Sequence, residues 1–520
     1  MGNSGENKQQ SKGMDIPNVI MGIYAFVVLC IFPVVYDNFY FNILETKYRF
    51  YCIVSFVMMA AMLVYGLYTN KMIEYLKVFK LGKLIKSLTL VDWAILEFWL
   101  AHVLSWMNCD FPWEAFWGTS GRFNGVFLIS IYTVVYFLVT RFFKVKRIYL
   151  DAFLVISIFV CLFGISDYFQ MDLLGFKERM MDEQKSQYTS TLGNINTYTV
   201  YVGAVLCVSM LLFTLESCMK RTAFYAGVMA VAMVALIVGA SDNAYLTLAA
   251  LYGFSPLWLF RTKTGVRRYM ASIAMFLTAT LFVGWINVEY AEMVYGLGGI
   301  FGLISGMSIL LVGTIALWFV VGVWTFLSAK GQAKHTDELG KALRYIWVAI
   351  IFAVVAAVAF VLYDANLAGN AERYEVVKSY VVFNDSWGTG RGYAWKCAIE
   401  LYTKIFTPAQ QLFGFGADTF KLQMIMNFPA QNGTVYDSVH NEYLNFLNTI
   451  GLFGLLAWMM CLGTAIVQMV KNLKDRPETA AILFVVLAYA TQAVVNINLP
   501  VIFPLIFQLL AMGISKDSKE

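Results

Sequence analysis

Charge is scarce in this sequence. Only 14% of its 520 residues are charged while 60% are hydrophobic, and the mean hydropathy is +0.66. Soluble domains carry nearer a quarter charged residues. The deficit argues against the several soluble domains that length alone would allow. Residues 1–15 are polar and lack the apolar core of a signal peptide, so the first spanning helix is expected to act as its own insertion signal. No internal repeat is evident, which counts against the paired halves common in transporters. The eight cysteines have no framework spacing. Cys30, Cys52, Cys161, Cys207 and Cys461 lie in apolar runs as small hydrophobes, and only Cys109 and Cys397 fall outside, with no spacing to support a bond between them. Histidine is rarer still: His102, His335 and His440 are the only three.

What the chain has is long apolar runs. A spanning helix needs about 20 mostly apolar residues. Candidates lie near 17–36, 50–68, 89–106, 125–140, 149–168, 196–215, 222–241 and 243–260. Others follow near 269–288, 299–328, 345–363, 441–470, 479–497 and 499–514. The expected fold is an all-α polytopic bundle of about 14 transmembrane helices. With the N-terminus inside, roughly two thirds of the lysines and arginines fall in inside loops, led by Lys71, Lys77, Lys80, Lys83 and Lys86. That asymmetry predicts both termini in the cytoplasm. The expected divisions are a tail at 1–15, helices over 16–363, an outside loop at 364–440, helices over 441–515 and a tail at 516–520.

The outside loop 364–440 is far longer than any inside loop, and such loops carry function or disorder. Within it Trp395, Ile399, Tyr402 and Ile405 recur at helical spacing. They predict an amphipathic helix, either lying on the outer membrane surface or capping the bundle. Gly388-Thr-Gly390-Arg391-Gly392 precedes this helix and Gly414-Phe-Gly416-Ala-Asp418 follows it. Such glycines allow plain turns, or backbone N–H groups converging on an anion beside the forked donor of an arginine. Neither cluster ends in Gly-Lys-Ser/Thr, so neither is a P-loop. Asp437 or Ser438 can cap a helix running through the 441–470 span. His440 would then lie in its first turn, where the helix dipole favours a neutral imidazole. About thirty residues make a helix roughly 45 Å long, which would project its start beyond the hydrocarbon layer. His102, within a span, and His335, in a basic inside loop, read as structural or solvated.

The combination resembles the O-antigen ligase and O-antigen polymerase family, which includes teichuronic acid enzymes. The matching pieces are Gly390-Arg391-Gly392-Tyr-Ala-Trp395, Leu412-Phe-Gly414-Phe-Gly416-Ala-Asp-Thr-Phe420, His440-Asn441-Glu-Tyr443-Leu444 and Gly451-Leu-Phe-Gly454. Gly193-Asn194-Ile-Asn196-Thr197 and Gly118-Thr-Ser-Gly121-Arg122-Phe-Asn-Gly125 are similar to earlier family segments. The likeness runs from about residue 90 onward, with a ligase-related region near 190–465. It implies a C-type glycosyltransferase in a bacterial cytoplasmic membrane. The donor would be a glycan on undecaprenyl diphosphate and the acceptor a hydroxyl of another glycan, without metal, nucleotide sugar or nucleic acid. It implies catalytic roles for His440 and Arg391. It places Arg122, Gly390, Gly392, Asn194, Asn196, Asn441 and Tyr443 about the substrate. Fixed positive charge would favour departure of the diphosphate, and a neutral imidazole would take the acceptor proton.

One turn departs from the family. Where a Ser-Arg-Gly turn is common, this chain has Ser241-Asp242-Asn243. Either another cation such as Arg122 completes the diphosphate clamp, or the donor is held differently. A transporter or flippase is the chief rival reading, and a scaffold for an envelope machine the third.

Overall fold

The computed structural model describes residues 14–78, 80–119, 121–330, 337–428 and 435–515. His335 and most of both terminal tails lie outside these residues. The chain is an all-α polytopic membrane protein. Among the described residues ten helices are long and apolar enough to cross a membrane, and Val126–Phe142, Thr479–Gln492 and Phe503–Ile514 are shorter apolar helices. Among the described residues one small sheet pairs Tyr188–Thr189 with Gly193–Asn194. All eight cysteines are free thiols.

The helix Ile195–Leu215 occupies the centre, with nearly every side chain buried. A helix apolar on all sides has no face to offer water, so it is enclosed by others. It packs against Met219–Val238, Thr479–Gln492, Asn243–Phe254 and Arg147–Tyr168. Lipid gives no hydrophobic drive for this association, so close approach and polar contacts matter more. A Cβ at Gly203 would press against the Thr247 and Gln492 side chains, and the Gln492 amide donates to Thr247. Ala342–Asn366 lies at the opposite extreme, with none of its apolar window buried.

Several expected spans are broken. Pro256 divides the 243–260 run into Asn243–Phe254 and Pro256–Leu259. The 299–328 run consists of Gly299–Ser305 and Ser308–Lys330. The run from 441 is not one 45 Å rod: Glu442–Thr449 ends at Ile450, and Gly451–Asn472 begins with Gly451 at φ 72°. A break frees carbonyl groups that must find donors inside a membrane. Phe415 N donates to Asn448 O at 3.1 Å, Gly416 N to Thr449 O at 3.1 Å and Ser105 Oγ to Thr449 O at 2.5 Å. A Cβ at Gly451 would collide with the Leu412 carbonyl, so only glycine fits. A similar repair occurs where the first span ends at Phe32–Val34. The buried Lys47 ammonium donates to Phe32 O at 2.9 Å and Pro33 O at 3.0 Å.

The described residues of the 364–440 segment pack around their own apolar cluster. Cys397, Ala398, Leu401, Phe406, Phe415, Phe420, Met424 and Val439 form it. The expected stripe is therefore displaced. Trp387–Glu400 continues into a π turn at Leu401–Ile405, and the face it buries is Ala394, Cys397, Ala398 and Leu401. Ile399 and Ile405 are exposed, while Trp395 and Tyr402 pack at the cluster's edge.

Candidate functional site

Three segments distant in sequence meet beside His440. The first is the loop following the short helix Pro112–Trp117. Glycines at 118 and 121, with φ of 89° and 90°, let it turn back on itself. The Asp418 carboxylate fastens this loop, accepting from Thr119 N at 2.8 Å and Asn124 N at 3.1 Å. Asn124 Nδ2 also donates to Asn498 O at 2.5 Å. The clamp projects Arg122, whose Nη2 lies 2.6 Å from Asp437 Oδ1. Its Nε is buried with no hydrogen-bond partner among the described residues.

The second segment carries Arg391. Gly388, Thr389 and Gly390 form a left-handed run, with φ of 58°, 61° and 95°, before the regular helix starts. Gly390 lies against the Tyr436 hydroxyl and Gly392 against the Asn384 carbonyl, each too closely for a Cβ. These glycines set the turn that aims Arg391. Its Nε is likewise buried and unpartnered among the described residues. Burial draws the guanidinium below its ordinary pKa, against the pull of Asp242. The second glycine cluster offers no comparable anion cradle, because Phe415 N and Gly416 N serve the 448–449 carbonyls.

The third segment carries His440. It precedes the helix rather than lying in its first turn: Asn441 is the cap, accepting from Leu444 N at 3.0 Å. His440 has φ 51° and donates its backbone N–H to Ser438 Oγ at 3.0 Å. Burial lowers its pKa from 6.5 to about 4, assisted by Arg122 and Arg391 and opposed by Asp437. Burial and two guanidinium groups thus favour the neutral ring. Burial raises the Asp437 carboxyl, but Arg122, His440 and Lys421 together outweigh it and the net shift is downward. Asp418 is pushed up to about 6 by burial.

Arg122, Arg391 and His440 therefore gather in one electrostatic neighbourhood. The other expected residues do not all join them. Asn441 is spent on capping, and the Tyr443 hydroxyl donates to Ala490 O at 2.7 Å, toward a neighbouring helix. Asn194 caps the central helix. Asn196 Oδ1 accepts from Ser241 Oγ at 2.7 Å, tying that helix to the 241–243 turn. In this turn Asp242 stands where the family often has arginine. It accepts from the Tyr380 hydroxyl at 3.2 Å and lies within electrostatic reach of Arg391. His102 is structural, buried with Nδ1 2.8 Å from Phe98 O. A cavity of about 1200 Å³ lies by the basic 71–87 segment and is lined by none of these residues.

Residues 291–459 match the family model described as O-antigen ligase. The match covers about a third of the chain and supports a relationship to the O-antigen ligase and polymerase family. No curated protein matches the chain. The O-antigen ligase domain contains Arg391, Asp418, Asp437 and His440, whereas Arg122, Asn194 and Asn196 precede it. The family match supports a membrane role in glycan ligation or polymerisation. Asp418 and Asp437 were not singled out as functional partners from the sequence. Their partners lie 294 to 315 residues away, so no local signal could reveal them.

Proposed function

We propose that this protein transfers or polymerises a glycan from undecaprenyl diphosphate onto a glycan acceptor at the outer face of a bacterial cytoplasmic membrane. The observation that carries this reading is the pairing of an imidazole held neutral with two guanidinium groups bearing unpartnered, buried Nε atoms. A buried donor without an acceptor is costly, and a diphosphate oxygen is the strongest acceptor available to it. Arg122 and Arg391 would bind the diphosphate, with Asp437 holding Arg122 in place beforehand. Attack by the acceptor hydroxyl on the anomeric carbon forms the new C–O bond and breaks the bond to the diphosphate. His440 takes the hydroxyl proton, and undecaprenyl diphosphate leaves with the bonding electron pair. The arginines stabilise the charge that develops on the leaving oxygen.

The distribution of lysine and arginine supports termini inside, which puts the 364–440 loop and His440 outside. Several breaks in the spans also fit a cavity-lining role, since irregular backbone at membrane depth belongs where protein encloses it. The test is transfer by purified protein in lipid nanodiscs supplied with lipid-linked donor and glycan acceptor. Wild type should make new glycosidic bonds, and His440→Ala should lose transfer by about 10²–10⁴-fold at normal expression and insertion. Wild-type turnover in that variant removes His440 from the mechanism.

A further inference from the structure

A polar pocket reaches the backbone of Gly239 and Ala240, beside the 241–243 turn. It has a volume of about 510 Å³, within the roughly 300–1,000 Å³ usual for small-molecule sites. Asp167, Lys177, Gln187, Tyr168, Tyr188 and Tyr295 contribute side chains to its wall. Ala240 and Gly298 line it with backbone. Asp242, two residues beyond Ala240, is the residue in electrostatic reach of Arg391. The pocket and the arginine thus both lie near one short turn.

Its floor is a carboxylate and an ammonium group withdrawn from solvent. Asp167 is 1% exposed and Lys177 is 3% exposed. Asp167 Oδ2 accepts from Ser190 N at 2.6 Å and from the Tyr40 hydroxyl at 3.3 Å. Asp167 Oδ1 has no hydrogen-bond partner among the described residues. Lys177 Nζ stands 3.8 Å from that oxygen, too far for a hydrogen bond, and 4.9 Å from the centre of the Tyr295 ring. A group placed against both must accept from the ammonium and donate to the carboxylate. A hydroxyl does both. A carboxylate or phosphate would instead oppose Asp167, and an apolar group would leave both buried polar groups unsatisfied. The three tyrosine rings give apolar faces edged with hydroxyls, suited to a ring bearing both C–H faces and hydroxyl groups.

We propose that this pocket is a saccharide subsite, holding a neutral, hydroxyl-rich pyranose unit of the glycan one turn away from the point of transfer. The assignment rests on the transferase reading above and names a place where that reaction grips its sugar. Gly298 offers a clean probe, because a Cβ there meets nothing within 4 Å and its φ of −98° suits any residue. Gly298→Leu should crowd the pocket's rim without straining the backbone, while Gly298→Ala should leave it open.

The experiment uses the full chain in nanodiscs and two readouts. The probe is the oligosaccharide released by mild acid from the lipid-linked glycan of the source cells, with binding followed by saturation-transfer NMR and calorimetry. Gly298→Leu and Asp167→Asn should each weaken binding at least tenfold and raise KM for the glycan with little change in kcat. Gly298→Ala should match wild type, and His440→Ala should bind the oligosaccharide normally while transferring none. If Asp167→Asn does not fold, Gly298→Leu decides. Unchanged binding in folded Gly298→Leu overturns the subsite and leaves the transferase reading standing. Absence of binding by wild type at millimolar oligosaccharide overturns it equally. Wild-type protein that binds through this pocket yet forms no glycosidic bond sinks the transferase reading and leaves the subsite.

Discussion

His440 should remain uncharged in media acidic enough to protonate an ordinary imidazole. Burial, then Arg122 and Arg391, carry it from 6.5 to about 4, and Asp437 only partly opposes them. The difference is worth roughly 3 kcal/mol in favour of the neutral ring. At pH 6 a free imidazole is about three quarters protonated, whereas His440 should be roughly 1% protonated. The acidic limb of kcat/KM reports the free enzyme, so it should fall near pH 4. The kcat limb should lie higher, because a bound diphosphate adds negative charge beside the ring. Arg122→Gln should move the kcat/KM limb upward for two reasons: one cation is lost, and Asp437 is left unpaired next to the imidazole. With only three histidines in the chain, 13C-histidine NMR can follow the titration directly, using His440→Gln for assignment. Stability carries the same sign. As pH falls from 6.5 to about 4 the unfolded chain takes a proton that the folded site refuses, so stability declines through that window. A wild-type His440 titrating near 6.5, unmoved by Arg122→Gln, would refute this account of the site.

Three further outcomes are expected. Arg391→Ala should raise KM for the donor, and Arg391→Lys should recover only part of the loss because a point charge lacks the guanidinium fork; full recovery, in steady-state kinetics, would mean that charge alone matters. Asp418→Ala removes the acceptor for two backbone N–H groups of the Arg122 loop and should cost about 2–3 kcal/mol, read as a lower unfolding temperature together with weaker donor binding. Gly451→Ala combines a left-handed backbone with a collision against Leu412 O and should cost more than the roughly 1–2 kcal/mol of the conformation alone, whereas Gly463→Ala, in open space, should be neutral in the same melt.

The sequence made the fold class legible because lipid leaves little choice: backbone polar groups must be satisfied within the segment, so long apolar runs become helices. It also marked Arg391 and His440 as unusual residues in a long loop. Local periodicity was less dependable where tertiary contacts supply the missing hydrogen bonds. The 441–470 run reads as one helix, yet it breaks at Gly451 because Ser105, Phe415 and Gly416 receive the freed carbonyls. The Trp395–Ile405 stripe misjudged the buried face, because the loop's own cluster takes up Ala394, Cys397, Ala398 and Leu401 and leaves Ile399 and Ile405 exposed.

Residue type and order alone therefore determined a membrane-embedded helical bundle and a short set of polar residues able to do chemistry. Only the tertiary structure decided which of them meet. Arg122 finds Asp437 across 315 positions, and Asp418 clamps the loop that presents it, while Asn441 and Tyr443 turn to capping and packing. The sequence offered only the helix dipole as a reason for a neutral His440, whereas the structure adds burial and two guanidinium groups. Desolvation and the field of distant guanidinium groups depend on how segments far apart in the chain enclose one another, and no reading of local spacing contains that information.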